Sequence, residues 1–385
     1  MTRKKKKIIR TATVPLSLDL FCRGLFREMS HDYEVIALSS PKPELERIAK
    51  REGIRTIAVP MQRKITPFRD LVSLLRLIRV FRKEKPDMVH SITPKAGMLS
   101  MLAAWFTRVP VRVHTFTGLV FPYERGMKRR LLIATDRLTA ACATHVIPEG
   151  KGVKKDLVRF RITRKPLRVL GNGNVRGIDM DYYVRSAETQ QKASALRKSL
   201  GIRKDDFVFI FVGRLDRDKG LDDLIDAFRL LQQERDHIHL LLVGAEEAEG
   251  GTLQEKTLEY LGRSKHIHLS NGWQDDVRPW YAASDALVLP SWREGFPNVV
   301  IEAGAMELAS IVTDINGSRE IVSNHKNGLV IPAKDADSLY YAMKSLVDRP
   351  ERIQIFASKA RKMARRYEQG FVRECLNEFY KEVLK

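Results

Sequence analysis

Apolar residues fall along this chain in short runs separated by longer stretches of helical spacing. In the first half, residues 7–12, 33–38, 87–90, 111–114 and 144–147 are β-type runs. Between two of them, residues 67–83 carry Phe68, Leu71, Leu75 and Ile78 on one helical stripe. Strands alternating with helices predict a parallel sheet covered on both faces. The second half repeats this grammar. The run 206–212 is almost wholly apolar and ends at Gly213, and 238–243 ends at Gly244. Runs 267–269, 286–289, 310–313 and 328–331 follow, the third-last step closing at Pro290. Such unbroken runs suit strands buried on both faces. Residues 357–385 read as helical, basic at first and then amphipathic.

At 385 residues the chain suits two domains. The expected fold is α/β, with two doubly wound Rossmann-like domains facing across a cleft and a ligand at the carboxyl ends of the strands. The polar stretch 181–199 marks the join. The expected division is 1–185, 186–365 and a closing helix, 366–385. No apolar run reaches the roughly 20 residues that span a bilayer; the best, 97–106, reads as a buried helix. No signal-peptide core follows the basic run Arg3–Lys7. Cys22, Cys142 and Cys375 lack C-x-x-C spacing and read as small apolar residues in a reducing cytoplasm.

Charge changes the picture. Residues 1–190 hold 39 Lys and Arg against 17 Asp and Glu, while residues 191–385 hold 29 against 30. The whole net charge of +21 therefore lies in the first half. Arg69, Arg76, Arg79, Arg82 and Lys83 share one helical stretch with Leu71, Leu74, Leu75 and Phe81. Arg125, Lys128, Arg129 and Arg130 precede Leu131, and residues 151–168 hold eight basic side chains and one acid, Asp156. A nucleic acid and an anionic membrane leaflet are the two partners such a half could meet. No helix-turn-helix, zinc-finger or RNP-type signature is present, so no nucleic acid is expected. Basic amphipathic helices fit anionic headgroups. The expected location is the cytoplasm, peripherally on the inner face of the cytoplasmic membrane.

Candidate chemistry concentrates at two strand ends in the second half. After the run 286–289 comes the loop 291–297, and Asn298 reads as the N-cap of a helix containing Val299 and Glu302. A helix start offers N–H groups and a positive dipole end to an anion, and Gly295 lets backbone approach a ligand. Glu294 on the loop and Glu302 in the helix could accept from sugar hydroxyls; from spacing alone they could equally be solvated glutamates. After the run 206–212, Gly213, Arg214, Lys219 and Gly220 lead into another helix. Arg and Lys at two turns of one sheet can converge on a diphosphate.

Together these motifs resemble the retaining glycosyltransferases of family 4, which have the GT-B fold. The matching residues are Gly213-Arg214, Lys219-Gly220, the Glu294-x7-Glu302 element with Gly295, Phe296 and Pro297 inside it, Gly171-Asn172-Gly173, and Gly317-Ser318-x-Glu320 followed by Gly328. The resemblance covers nearly the whole chain and is nearest to bacterial enzymes that build surface glycans on polyprenyl-diphosphate carriers. It implies that Arg214 and Lys219 bind the donor diphosphate, and that the N–H groups near Asn298 and Val299 hold the same phosphates. Glu302 would accept from the ribose and Glu294 would face the donor sugar or its leaving phosphate. Arg214, Lys219 and Glu294 are then the catalytic group. The closing helix returns to the first domain. The implied reaction moves a hexose or N-acetylhexosamine, with retention, from a nucleotide sugar (UDP-linked) to a lipid-linked glycan, with no protein nucleophile. On the acceptor side the resemblance points to His90, Lys95, Thr117 and Gly118. Relatives often carry His-Gly where this chain has Thr117-Gly118. They also often carry Gly and Pro at Glu307 and Ala309. The triplets 216–218 and 179–181 spell D-x-D, by which a different glycosyltransferase fold binds a divalent cation. The first is accounted for as the loop between Arg214 and Lys219, and no metal or other cofactor is expected. A sugar-nucleotide 2-epimerase of the same fold is the alternative, disfavoured by the Glu-x7-Glu arrangement.

Overall fold

The computed structural model describes residues 5–246 and 251–385; Arg3 and Lys4 of the N-terminal basic run lie outside the described residues. The chain divides into two compact units. Unit 1 comprises residues 1–177 and 370–385, and unit 2 residues 178–369. Unit 1 runs β1 (Lys7–Thr11), α1 (Pro15–Cys22), α2 (Leu25–Met29), β2 (Glu34–Ser39), α3 (Pro43–Glu52), β3 (Arg55–Ala58), α4 (Pro67–Glu84), β4 (Met88–Ile92), α5 (Pro94–Phe106), β5 (Val111–Phe116), α6 (Gly126–Cys142), β6 (His145–Pro148) and α7 (Lys151–Arg159). Unit 2 runs α8 (Ala187–Ser199), β7 (Phe207–Val212), α9 (Leu221–Glu234), β8 (Ile238–Val243), α10 (Glu255–Arg263), β9 (Ile267–Leu269), α11 (Arg278–Ala282), β10 (Ala286–Leu289), α12 (Asn298–Ala305), β11 (Ala309–Thr313), α13 (Ser318–Ile321), β12 (Gly328–Ile331), α14 (Ala336–Val347) and α15 (Glu351–Ala364). The last helix, α16 (Gln369–Val383), carries the chain back into unit 1.

Each unit holds one six-stranded sheet in which every pairing is parallel. The orders are β3-β2-β1-β4-β5-β6 and β12-β11-β10-β7-β8-β9, the same doubly wound arrangement read from opposite edges. In each, the order reverses between the first strand of the unit and the fourth, the switch point at which doubly wound sheets bind ligands beyond the carboxyl ends of their strands. Alternation along β1 sends Ile9 into the core under α4, α5 and α6, and Ile8 into the core shared by α1, α2, α3 and α16.

The C-terminal helix is held by a buried polar network. Arg10 on β1 is buried with no carboxylate in hydrogen-bonding reach among the described residues. Its guanidinium donates to the Tyr380 hydroxyl on α16 (2.5 Å) and to His90 Nδ1 on β4 (3.1 Å), with Cys22 Sγ at 3.5 Å. The Tyr380 hydroxyl lies 2.6 Å from His90 Nδ1, and His90 Nε2 lies 2.7 Å from Thr115 Oγ1. Burial, reinforced by the Arg10 charge, holds the His90 imidazole well below its usual pKa, and burial pushes the Tyr380 phenol up to about 12.

Several expectations change. A strand between the runs 33–38 and 87–90, β3, is absent from the pattern because its four residues are half-exposed at the sheet edge. The stripe of α4 divides: Phe68, Leu71 and Leu75 are exposed, Ile78 packs partly against the core, and the buried side is Asp70, Ser73, Leu77 and Phe81. Asp70 is an ion-pair partner of Lys95 and accepts from the Thr66 N–H, and the Ser73 hydroxyl donates to Pro60 O at 2.5 Å. The first boundary lies at 177/178, ahead of 185, because Arg278 stacks on Tyr182 at 3.7 Å and Arg185 donates to Met306 O, both inside unit 2. The second lies at 369/370, because Tyr367 packs edge-on against Phe296 and its carbonyl accepts from Ile178. The closing helical stretch is broken by a 3-10 turn, Arg365–Tyr367. Cys22 and Cys142 are buried, Cys375 is half-buried, and all three are free thiols.

Two predictions follow from this packing. Tyr380→Phe leaves the Arg10 guanidinium and His90 Nδ1 short of a partner, and should cost about 1–3 kcal/mol, read as a lower urea midpoint for the full chain. An unchanged midpoint would remove the network as a stabiliser. His239, buried beside His268 (3.1 Å) and Asp206 (3.3 Å), is held to about 4, chiefly by burial and then by the neighbouring histidines. Its folded pKa is below its unfolded one, so the neutral form is favoured in the fold. That stability is complete above about pH 6.5 and is lost as the pH falls towards 4. Thermal scans across that window should show a falling Tm whose slope is shallower in His239→Gln.

Candidate functional site

The crevice of unit 2 opens between β7 and β10. The strand Phe207–Val212 is apolar throughout and ends at Gly213, whose φ of 157° frees the chain to turn. Arg214 then pairs with Asp216 at 2.8 Å. Asp216 is fully buried, its carboxyl raised by that burial, and it caps the 3-10 turn Arg217–Lys219 by accepting from the Lys219 N–H at 3.1 Å. The turn delivers Lys219 to the start of α9. Gly220, at φ 73°, makes this possible: a Cβ there would collide with the Pro290 carbonyl at the end of β10.

The loop leaving β10 is tied to the loop leaving β7 at several points. The Trp292 N–H donates to Asp218 O (2.9 Å), and the Arg293 guanidinium donates to the Asp218 carboxylate (2.5 and 2.9 Å). The Trp292 indole donates to Asp223 (2.7 Å) and lies between Arg217 and Lys334, 5.7 and 4.4 Å from its ring centroid. Lys219 Nζ meets Glu294 Oε1 at 2.5 Å, with both side chains largely withdrawn from solvent. On its other side the loop rests on Gly317, at φ 74°, where a Cβ would strike Gly295 O and the Cα of Phe296. Phe296 is anchored on Tyr367.

The loop then enters α12. Asn298 is its first residue and not its cap; Pro297 holds the cap position in extended backbone, with no side-chain cap bond. The first-turn N–H groups of a helix have no acceptor within it, and its positive end favours an anion. Val299 stands in that turn. Glu302, one turn further on, is buried and accepts from the Tyr281 hydroxyl at 3.0 Å. The structure therefore gathers Gly213, Arg214, Lys219, Glu294, Gly295, Phe296, Pro297, Asn298, Val299 and Glu302 at the carboxyl ends of β7 and β10. Both carboxylates of the 216–218 triplet are committed to arginines, Arg214 and Arg293. Asp179 accepts from the N–H groups of Asp181 and Tyr182. Asp218, Trp292, Arg293 and Tyr281 escape motif reasoning. The one sequence signal for the first three is their adjacency to Lys219 and Glu294.

Unit 1 treats its own crevice differently. Thr13, after β1, and Thr93, after β4, are hydrogen-bonded through their hydroxyls at 2.9 Å, and Thr13 Oγ1 also accepts from the Ala96 N–H. Thr93 holds φ at 72°. His90 is buried in the Arg10 network beneath α16, Lys95 is paired with Asp70, and Thr117 and Gly118 follow β5 half-buried. No hydrogen bond or ion pair joins the His90, Lys95 and Thr117 side chains to one another. His114 is in the core, bonded to Ser91 at 2.8 Å.

Comparison with known proteins agrees with both halves. Residues 22–173 match the family model for a glycosyl transferase 4-like domain, and residues 192–363 match that for glycosyl transferases group 1. The chain is 29% identical to the capsular polysaccharide biosynthesis glycosyltransferase CapM of Staphylococcus aureus, over 99% of this chain and 98% of that protein. It is 28% identical to the Escherichia coli UDP-Gal:alpha-D-GlcNAc-diphosphoundecaprenol alpha-1,3-galactosyltransferase, over 90% of this chain and 89% of that one. Among solved structures, HepE of Anabaena in complex with UDP and glucose superposes with a TM-score of 0.82 at 19% identity, covering 98% of this chain and all of HepE. The lipopolysaccharide glycosyltransferase WaaG superposes with a TM-score of 0.74 at 17% identity, over 97% of this chain and 99% of WaaG. With two doubly wound sheets of the same order, and a basic pair and a Glu-x7-Glu element at the crevice of the second, the chain belongs to the family 4 glycosyltransferases of GT-B fold.

Proposed function

We propose that this glycosyltransferase moves a hexose or N-acetylhexosamine, with retention, from a UDP-sugar to a polyprenyl-diphosphate-linked glycan during bacterial surface-polysaccharide synthesis. The observation that carries the reading is the convergence of Arg214, Lys219, Glu294 and the start of α12 on one crevice. HepE, of the same fold, is a complex with UDP, and the E. coli relative is named for a UDP-Gal donor and a diphosphoundecaprenol acceptor. Both support the donor and acceptor classes. The basic surplus of the first half supports an enzyme held on the inner face of the cytoplasmic membrane.

The residues suit the chemistry as follows. A diphosphate leaving group gathers negative charge as the glycosidic bond breaks, and Arg214 and Lys219 answer that charge with one planar fork and one point charge. The start of α12 adds N–H dipoles. Glu302 offers an acceptor for the ribose hydroxyls, and Glu294 steers the Lys219 ammonium and faces the sugar. In this reading the leaving phosphate takes the acceptor proton, so neither a protein nucleophile nor a metal ion is needed.

A donor panel screened by thermal shift, followed by transfer to a short polyprenyl-diphosphate sugar, tests the reading. The product linkage should keep the donor's anomeric configuration by NMR. Conversion of a labelled UDP-N-acetylhexosamine to its C2 epimer without acceptor would select the epimerase instead. Lys219→Ala should lower kcat roughly 10²–10³-fold at unchanged Tm; near-normal turnover would remove Lys219 from the clamp. Gly317→Ala should push the 295–297 loop out of place and weaken UDP binding at least about tenfold, about 1.4 kcal/mol. Wild-type affinity in that variant would show that the loop position is unimportant.

A further inference from the structure

A second charged groove lies at the opposite end of the unit 2 sheet from the donor crevice. Ser284 and Asp285 directly precede β10, and Glu307 lies just ahead of β11. With Arg185 and one face of α15 they enclose a groove of about 530 Å3, the size of a small-molecule site. On α15 the lining positions 354, 358, 361 and 365 recur at helical spacing. The four residues of β10, at about 3.3 Å each, set this groove roughly 13 Å from the crevice that holds Lys219 and Glu294.

The groove is built around the end of α12. The Leu308 N–H closes that helix on Ala303 O, and Glu307 takes the left-handed position beyond it, at φ 59°, where glycine is usual. The next two carbonyls accept from the groove: Ala305 O from Arg361 (2.5 Å) and Met306 O from Arg185 (2.8 Å). Arg185 also donates to Ser284 O (3.3 Å), and Arg361 lies 3.5 Å from the Glu307 carboxylate. Nη1 of Arg185 and Nη2 of Arg361 make no hydrogen bond among the described residues. Lys362 and Arg365, exposed on the same face of α15, have no carboxylate partner among the described residues. Four cations therefore face two carboxylates, and one of these, Asp285, is committed to the Val208 N–H at 2.8 Å.

Charge and surroundings together select a ligand. The end of the groove at Arg361, Lys362 and Arg365 offers guanidinium and ammonium donors to a phosphate. The other end of α15 presents Ile353 and Ala357 beside Gln354 and Ser358, which suit a neutral, hydroxylated body. Glu307 repels a polyanion but accepts from hydroxyls. We propose that this groove is a binding site for a small phosphorylated sugar. Its phosphate rests on Arg361, Lys362 and Arg365, and its sugar lies towards Ser358 and Gln354 with Glu307 as an acceptor. The site goes beyond the transfer reaction: its ligand is neither donor nor acceptor, and UDP does not compete for it.

The test is calorimetric titration of the full chain with glucose 1-phosphate, inorganic phosphate and glucose, each with and without saturating UDP. With UDP present, glucose 1-phosphate should bind at least about tenfold tighter than inorganic phosphate or glucose, and more weakly as salt rises. Lys362→Ala with Arg365→Ala should lower glucose 1-phosphate affinity at least roughly tenfold, through the loss of two charge-assisted contacts. That variant should keep the wild-type Tm and the wild-type affinity for UDP. Lys219→Ala should lower UDP affinity and leave glucose 1-phosphate affinity unchanged. Glu307→Gly should narrow the preference for glucose 1-phosphate over phosphate. Equal affinities of the wild type for these two ligands would reduce the groove to an unselective cation patch and overturn the proposal. Binding that UDP displaces, or that survives the loss of Lys362 and Arg365, would overturn it too. Wild type that binds UDP but not glucose 1-phosphate would remove this site and leave the donor reading standing; the reverse result would sink the donor reading and leave this site.

Discussion

One ion pair organises the functional end of unit 2. Lys219 and Glu294 come from the loops of two different strands, β7 and β10, and meet at 2.5 Å where the strand order reverses. They meet because the backbones beneath them touch: Gly220 sits against the Pro290 carbonyl, and Asp218 holds both Trp292 and Arg293. An ion pair partly withdrawn from water gains little net stability, since desolvation offsets much of the attraction. Under the proposed reading, that suits a cation that would exchange its carboxylate for a phosphate. Arg214 rests in the same way, against Asp216. An incoming diphosphate would, under the same reading, find two cations already positioned, each paired with a carboxylate.

The two sheets share one strand order, yet only one crevice carries this machinery. In unit 1 the corresponding loops are joined by Thr13 and Thr93, and Thr93 adopts a positive φ that a β-branched residue rarely holds. Such a conformation costs on the order of 1–3 kcal/mol and persists when its surroundings over-determine it. Here the Thr13 hydroxyl bonds the Thr93 side chain, which also accepts from the Thr13 N–H. Equal topology thus carries ion pairs at one switch point and a hydroxyl crosslink at the other.

The β-strands of unit 2 were legible because burial on both faces makes them apolar without interruption, as in the run Phe207–Val212. Strand β3 was not, because an edge strand has one neighbour and half-exposed side chains. Arg214, Lys219, Glu294 and Glu302 were legible as a spacing. Asp218, Trp292, Arg293 and Tyr281 were not, because their work is done across the fold, on partners tens of residues away in the chain. His90 shows the opposite failure. A histidine following an apolar run reads as a site residue, and only the arrival of Tyr380 from the far end of the chain makes it a core residue. Helix α4 misleads for a related reason. Its apolar stripe has correct helical spacing, but spacing does not say which phase the stripe faces.

The Arg10–Tyr380 bond also has a temporal side. Its partners are 370 positions apart, and unit 1 is built from both ends of the chain, whereas unit 2 is one uninterrupted stretch. During translation, unit 2 has all its residues before unit 1 does. At about 5–20 residues per second, Arg10 waits on the order of 20–70 s for the residue that completes its shell. Through that interval Arg10 has His90 and Cys22 as possible partners but lacks the Tyr380 hydroxyl. Residues 370–385, which follow the whole of unit 2 in the chain, are the ones that close unit 1.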